Sequence, residues 1–123
     1  MDDAVIFFCH GSRDARWREP FDAIVRAFAD RYPATPVRLA FLELMSPGLD
    51  AVIDEMAGAG VHAIRVLPLF LAPGAHTRQD LPALIAAARA RWPNLRIDSG
   101  TTLTEVAAIR EAIVAWAADD NSR

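Results

Sequence analysis

Cysteine is nearly absent from this 123-residue chain, with Cys9 standing alone. No internal disulfide can form, and one chain cannot assemble a thiolate cluster. A lone cysteine fits a reducing cytoplasm. Positive charge is not in excess: the formal net charge is −3. No field therefore favours nucleic acid, and no basic run marks a membrane patch. No apolar run reaches the ~20 residues of a membrane span. The start, MDDAVIFFCH, lacks the basic region and long apolar region of a signal peptide. Walker A and G-x-G-x-x-G patterns are missing, and no G-x-S-x-G elbow surrounds Ser12. The expectation is a soluble cytoplasmic domain with no nucleotide loop and no nucleic-acid or membrane partner.

Apolar residues make up 53% of the chain, enough for a full core at the usual size of one domain. Ala4 to Cys9 is a short continuous apolar run and predicts a buried strand. Phe21, Ile24, Phe28 and Tyr32 recur at helical spacing. That helix begins near Glu19 with Pro20 in its first turn, or near Asp14 with a bend. Val37 to Leu44 is the second expected strand. Ser46-Pro47 reads as the start of a helix with the stripe Leu49, Val52, Ile53 and Met56, stopped by Gly58 and Gly60. Val61 to Leu71 is the third strand, and Pro68 marks the point where it leaves its neighbour or bulges. Asp80 reads as an N-cap, with Pro82 in the first turn and a stripe of Leu81, Leu84, Ile85, Ala88 and Trp92. Leu95 to Ser99 is a short fourth strand. Thr102-x-x-Glu105 fits a capping box before the stripe Val106, Ile109, Ile113 and Trp116. Residues 119–123 are an expected frayed tail.

The order βαβαβαβα implies an α/β fold: a four-stranded parallel sheet with helices on both faces, in the flavodoxin-like order 2-1-3-4 and a single domain over 1–123. Ligands of such sheets bind outside the carboxyl ends of the strands, where the order reverses. That crevice lies between the first and third strands. His10 follows the first and His76 follows the third, in the Pro73-Gly74 turn. Glu43 stands near the end of the second. Two imidazoles and a carboxylate suit a divalent first-row metal such as Co²⁺, Ni²⁺, Fe²⁺ or Zn²⁺, and also acid–base work near neutral pH. Three protein ligands leave positions open, whereas a closed structural site takes four. Arg13, Arg16 and Arg78 flank the two histidine loops, where guanidinium groups can hold a polycarboxylate. Arg13, Ser12 and Arg78 are the expected substrate-binding side chains. His62 reads as a surface residue at the opposite, amino end. Cys9 reads as a small core hydrophobe, and Trp17, Trp92 and Trp116 as packing residues.

HGSRDARWREPF, AFLELMSP and PLFLAPGAHTRQDLP resemble the small single-domain sirohydrochlorin cobaltochelatases of cobalamin biosynthesis, the CbiX-like members of the class II chelatases. The similarity runs from Val5 to about Leu95. The paired HGSR and PGxHxxxDLP segments are far more specific together than either alone. SGTTLTEVAA departs from the Pro/Leu-Gly character of the family after the fourth strand. The resemblance implies a chelatase fold and insertion of Co²⁺ into sirohydrochlorin. By position, it implies that His10 and His76 are the two metal-binding histidines and that Glu43 matches the acidic residue found between them in larger relatives. Larger class II enzymes carry two such domains with a cleft between them, so the resemblance implies a homodimer here. It implies no organic cofactor. Insertion of Fe²⁺ or Ni²⁺ into the same ring, a non-catalytic metal or tetrapyrrole carrier, and a structural module whose histidines pin loops are the rival readings.

Overall fold

The computed structural model describes residues 3–122, apart from the side chains of His76, Thr77 and Ser122. β1 (Ala4–Cys9) is buried at every position, as a strand covered on both faces must be. It lies between β2 (Val37–Phe41) and β3 (Ala63–Pro68), and β4 (Arg96–Ser99) pairs with the far side of β3. All pairings are parallel and the order is β2-β1-β3-β4, as the alternation of strands and helices implies.

Successive strand residues point to opposite faces. On one face Ala4, Ile6, Phe8, Ile64, Val66 and Ile97 pack with α2 (Leu49–Gly58) and α3 (Ala75–Arg91). On the other, Val5, Phe7, Cys9, Leu39 and Phe41 pack against Phe21, Val25 and Phe28 of α1 (Glu19–Arg31). Trp17, in the 3₁₀ turn Ala15–Arg18, joins them. Asp14 caps that turn by accepting a bond from Arg16 N, and α1 starts at Glu19. Val25 takes the place expected for Ile24 in its half-buried stripe; Ile24 and Tyr32 are exposed. The α2 stripe Leu49, Val52, Ile53 and Met56 is buried as its spacing predicts. Asp54 of α2 accepts bonds from Trp92 Nε1 at 2.7 Å and Arg91 Nε at 3.0 Å, tying α2 to the end of α3.

Four element boundaries differ from the sequence reading. β2 ends at Phe41 rather than Leu44, and the chain turns at Leu44, where φ is 66°. α2 begins at Leu49 with extended Gly48 as its N-cap, so Ser46 is not the cap. The Ser46–Pro47 peptide is cis, and the Pro47 carbonyl accepts Phe41 N at 2.9 Å, which closes the loop at its base. β3 is shorter than Val61–Leu71 and stops at Pro68, which has no N–H to continue the ladder. α3 begins at Ala75, not Asp80: extended Gly74 supplies the cap geometry and its carbonyl accepts Arg78 N at 3.0 Å. Pro82 therefore lies inside the helix rather than in its first turn.

The last helix departs most. Glu105 accepts Thr102 N at 3.2 Å, closing that half of the expected box around the 3₁₀ turn Leu103–Glu105. α4 (Ala107–Ala118) then buries no residue. Val106, Ile113, Val114 and Trp116 are exposed, so the expected stripe is uncovered and Trp116 is not a packing residue. The sheet face beyond β1 on the α1 side carries Arg65, Arg96 and Asp98, all exposed, beside half-buried Leu67. A 3₁₀ turn, Asp120–Ser122, follows. Among the described residues no helix is long and apolar enough to cross a membrane.

Candidate metal centre

His10 leaves the end of β1 at the crevice between β1 and β3, where the strand order reverses. The next residue decides what it meets. Gly11 has φ +100°, and a Cβ there would lie 1.8 Å from the Glu43 carbonyl oxygen. Only glycine lets the two backbones come this close. Leu42 N donates to Cys9 O at 2.8 Å and Glu43 N to His10 O at 3.1 Å, so the β2 loop stays stitched to β1 beyond the strands.

The result is a pair. His10 Nε2 stands 3.8 Å from Glu43 Oε1, with side chains 45% and 49% exposed. That is too long for a hydrogen bond. It is within the reach of one cation, since two donors each about 2.1 Å from an ion are at most about 4.2 Å apart. The Phe70 ring backs His10 at 6.2 Å between centroids and itself packs, tilted, at 5.7 Å from Phe8 of the core. The imidazole thus has an apolar wall on one side and a carboxylate on another.

The backbone of His76 lies in the first turn of α3, not in the turn ahead of it. Its side chain lies outside the described residues. Among the described residues no three His, Cys, Asp or Glu side chains gather at one point. Cys9 is buried, and burial pushes its thiol up to about 12 from an ordinary 9.0. It is a core side chain and not a thiolate ligand. His62 is exposed at the amino end of β3, as expected.

Ser12 Oγ accepts Asp14 N at 3.1 Å and so helps shape the HGSRD loop. Arg16 pairs with Asp14. Arg13 and Arg78 are exposed and make no side-chain hydrogen bond or ion pair among the described residues. The chain has no lysine, so its fixed positive charges are all arginine, whose planar fork matches a carboxylate at two points. A cavity of about 390 Å³ lies beside the end of β4, lined by Pro73, Leu81, Ile85, Thr102 and Glu105. It does not include His10 or Glu43, which lie on the open rim. Gly11 and Phe70 shape the pair and were not singled out from sequence. A glycine directly after a strand-end histidine was the available signal for the first.

The fold is a parallel α/β sheet with an imidazole and a carboxylate 3.8 Å apart at its switch point, the edge at which such sheets bind ligands. The chain belongs to the CbiX family, whose description matches residues 4–119. It is 33% identical over 82 residues to a sirohydrochlorin cobaltochelatase of Methanopyrus kandleri, covering 67% of this chain and 57% of that protein. It is 28% identical over 100 residues to a sirohydrochlorin ferrochelatase of Bacillus subtilis, covering 81% of this chain and 38% of that one. The chain thus spans less than two thirds of both relatives. The crystal structure of a CbiX protein from Marinobacter aquaeolei VT8, assigned to cobalamin (vitamin B12) biosynthesis, superposes with a TM-score of 0.80 at 32% identity, covering 93% of this chain and 92% of that one.

Proposed function

We propose that this chain is a chelatase that inserts a divalent metal, Co²⁺, into sirohydrochlorin on the route to cobalamin. The observation that carries the reading is the His10–Glu43 pair, 3.8 Å apart on the open rim of a CbiX-family sheet. His10 and Glu43 hold the incoming cation, and His76 is the third ligand. Positions left open on the ion face the ring nitrogens. The macrocycle loses two pyrrole protons as the metal enters, so a base must accept them. A nitrogen bound to metal cannot accept a proton at the same time. The carboxylate of Glu43, half exposed beside the ion, is the group suited to pass protons to water. Arg13 and Arg78, with Ser12, hold substrate carboxylates. No redox step occurs, so the reading needs no organic cofactor.

Fe²⁺ insertion is the second reading, favoured by the similarity to a Bacillus subtilis protein named a ferrochelatase. Ligand softness does not separate Co²⁺ from Fe²⁺ at an N/O site. The chain works as one soluble cytoplasmic domain paired with a second copy. The exposed apolar residues of α4 and the Bacillus subtilis relative, about twice as long as this chain, support that pairing.

The test is the absorbance change on metal entry, with purified protein, sirohydrochlorin and Co²⁺, Fe²⁺ or Ni²⁺ in turn. The reading expects rates well above the protein-free control, and a fall of at least about a hundredfold for His10→Ala. Rates equal to the control with every metal would overturn it.

A further inference from the structure

Two large aliphatic side chains stand exposed in the loops that carry the site, Leu44 directly after Glu43 and Leu71 directly after Phe70. Leu44 is 54% exposed and Leu71 is 67% exposed. A single exposed leucine means little. Here the backbone holds both where they are.

Leu44 follows Glu43 directly. Met45 N donates to the Glu43 carbonyl at 2.8 Å, across Leu44 at φ 66°. That is the rare, strained form of the γ-turn, which a bulky L-residue resists and a glycine accepts freely. Strain of this kind persists where the surroundings impose it, and it clusters at ligand clamps. The surroundings are in view: Glu43 is bonded to His10, Gly11 closes on it, and Phe41 N with Pro47 O shuts the loop below. Leu71 follows Phe70, whose ring lies against His10. Its loop is pinned on both sides: Leu69 N donates to Phe8 O at 2.8 Å, Leu103 N to Phe70 O and Thr104 N to Leu71 O at 2.9 Å. Neither leucine is exposed because its loop is loose.

The backbone thus fixes one leucine next in the chain to the carboxylate of the pair and the other next to the aromatic wall of its imidazole. The guanidinium of exposed Arg13 adds positive charge two residues past Gly11. Apolar flanks, a metal-binding centre and a cationic margin complement a flat conjugated ring that carries carboxylates at its edge. We infer that Leu44 and Leu71 are the apolar jaws that seat the macrocycle over the His10–Glu43 pair, with Leu44 held out by the strained turn. The inference rests on the ring being the substrate proposed above.

The experiment is a fluorescence titration of metal-free sirohydrochlorin into the wild type and into Leu44→Gly, Leu44→Met and Leu71→Ala, with Tm, Co²⁺ affinity without ring, and sedimentation measured alongside. Glycine suits the turn, so Leu44→Gly keeps or raises the Tm. Its ring Kd weakens roughly tenfold, as does that of Leu71→Ala, the worth of half-burying a leucine. Leu44→Met restores most of the binding, and Co²⁺ affinity is unchanged throughout. Ring affinity within twofold of wild type in both Leu44→Gly and Leu71→Ala would overturn the inference, as would weakening that tracks loss of a dimer. A wild type that binds the ring but inserts no metal would sink the chelatase reading and leave the jaws standing. A wild type that binds no ring would sink both.

Discussion

A single hydrogen atom decides the geometry of the rim, because Gly11 has no Cβ to strike the Glu43 carbonyl. Gly11→Ala is expected to cost at least about 2 kcal/mol, since it adds a clash to a left-handed backbone. It also parts Glu43 from His10. Calorimetry reads the first effect and a Co²⁺ titration the second; a variant with native Tm and native Co²⁺ affinity would show that the close approach is unimportant. Cys9, beside His10 in sequence, behaves oppositely. Its thiol holds its proton in the folded state up to about pH 12, against 9.0 ordinarily, because burial penalises the thiolate. The folded state therefore binds a proton that the unfolded state releases, and stability falls as pH rises from 9 toward 12. In native protein near neutral pH, a thiol reagent should fail to label Cys9 until the chain unfolds. Rapid labelling would mean that the residue is open to solvent.

At the scale of elements, α2 and α3 are joined by polar contacts as well as by the core. The Trp92 Nε1–H bond, with help from Arg91, holds the Asp54 carboxyl below its ordinary 3.8. A lowered carboxyl stabilises the fold above the unfolded value and loses that effect as pH falls through the folded one. Asp54→Ala should cost about 1 kcal/mol near neutral pH, a modest figure because the site is half exposed. The gap between wild type and variant should close below about pH 4. A gap that persists in acid would assign the effect to packing instead. Elements whose cause is local were legible in sequence. The run AVIFFC is β1 residue for residue, and the spacing of Leu49, Val52, Ile53 and Met56 marks the buried face of α2. Elements set by distant contacts were not. VRLAFLEL reads as strand to its end, yet β2 stops at Phe41 and the chain turns at Leu44, just past the point where the backbone of Gly11, from another segment, meets Glu43. Asp80 and Pro82 imitate a helix start, while the real cap is the extended backbone of Gly74. Of the site, the strand-end positions of His10 and Glu43 were legible. Their 3.8 Å separation was not, because it depends on that same contact.

For the whole molecule, α4 poses the main question. Periodicity marks an apolar face but does not say what covers it. Trp116 at 66% exposed, with exposed Ile113 three residues before it on the same helix face, forms an apolar patch uncovered among the described residues. Apolar area of this kind marks a contact surface. In a homodimer that buries it, Trp116→Glu should convert the dimer to monomer in sedimentation while leaving the monomer fold intact by circular dichroism. A wild type that is monomeric and fully active would remove the dimer from the account. The central claim is narrower: one divalent ion sits between the imidazole of His10 and the carboxylate of Glu43. Anomalous diffraction from crystals grown with Co²⁺ tests it directly. The account predicts a cobalt peak about 2.1 Å from His10 Nε2 and within bonding reach of a Glu43 oxygen. Cobalt bound elsewhere on the chain, with the rim unoccupied at saturating metal, would contradict it.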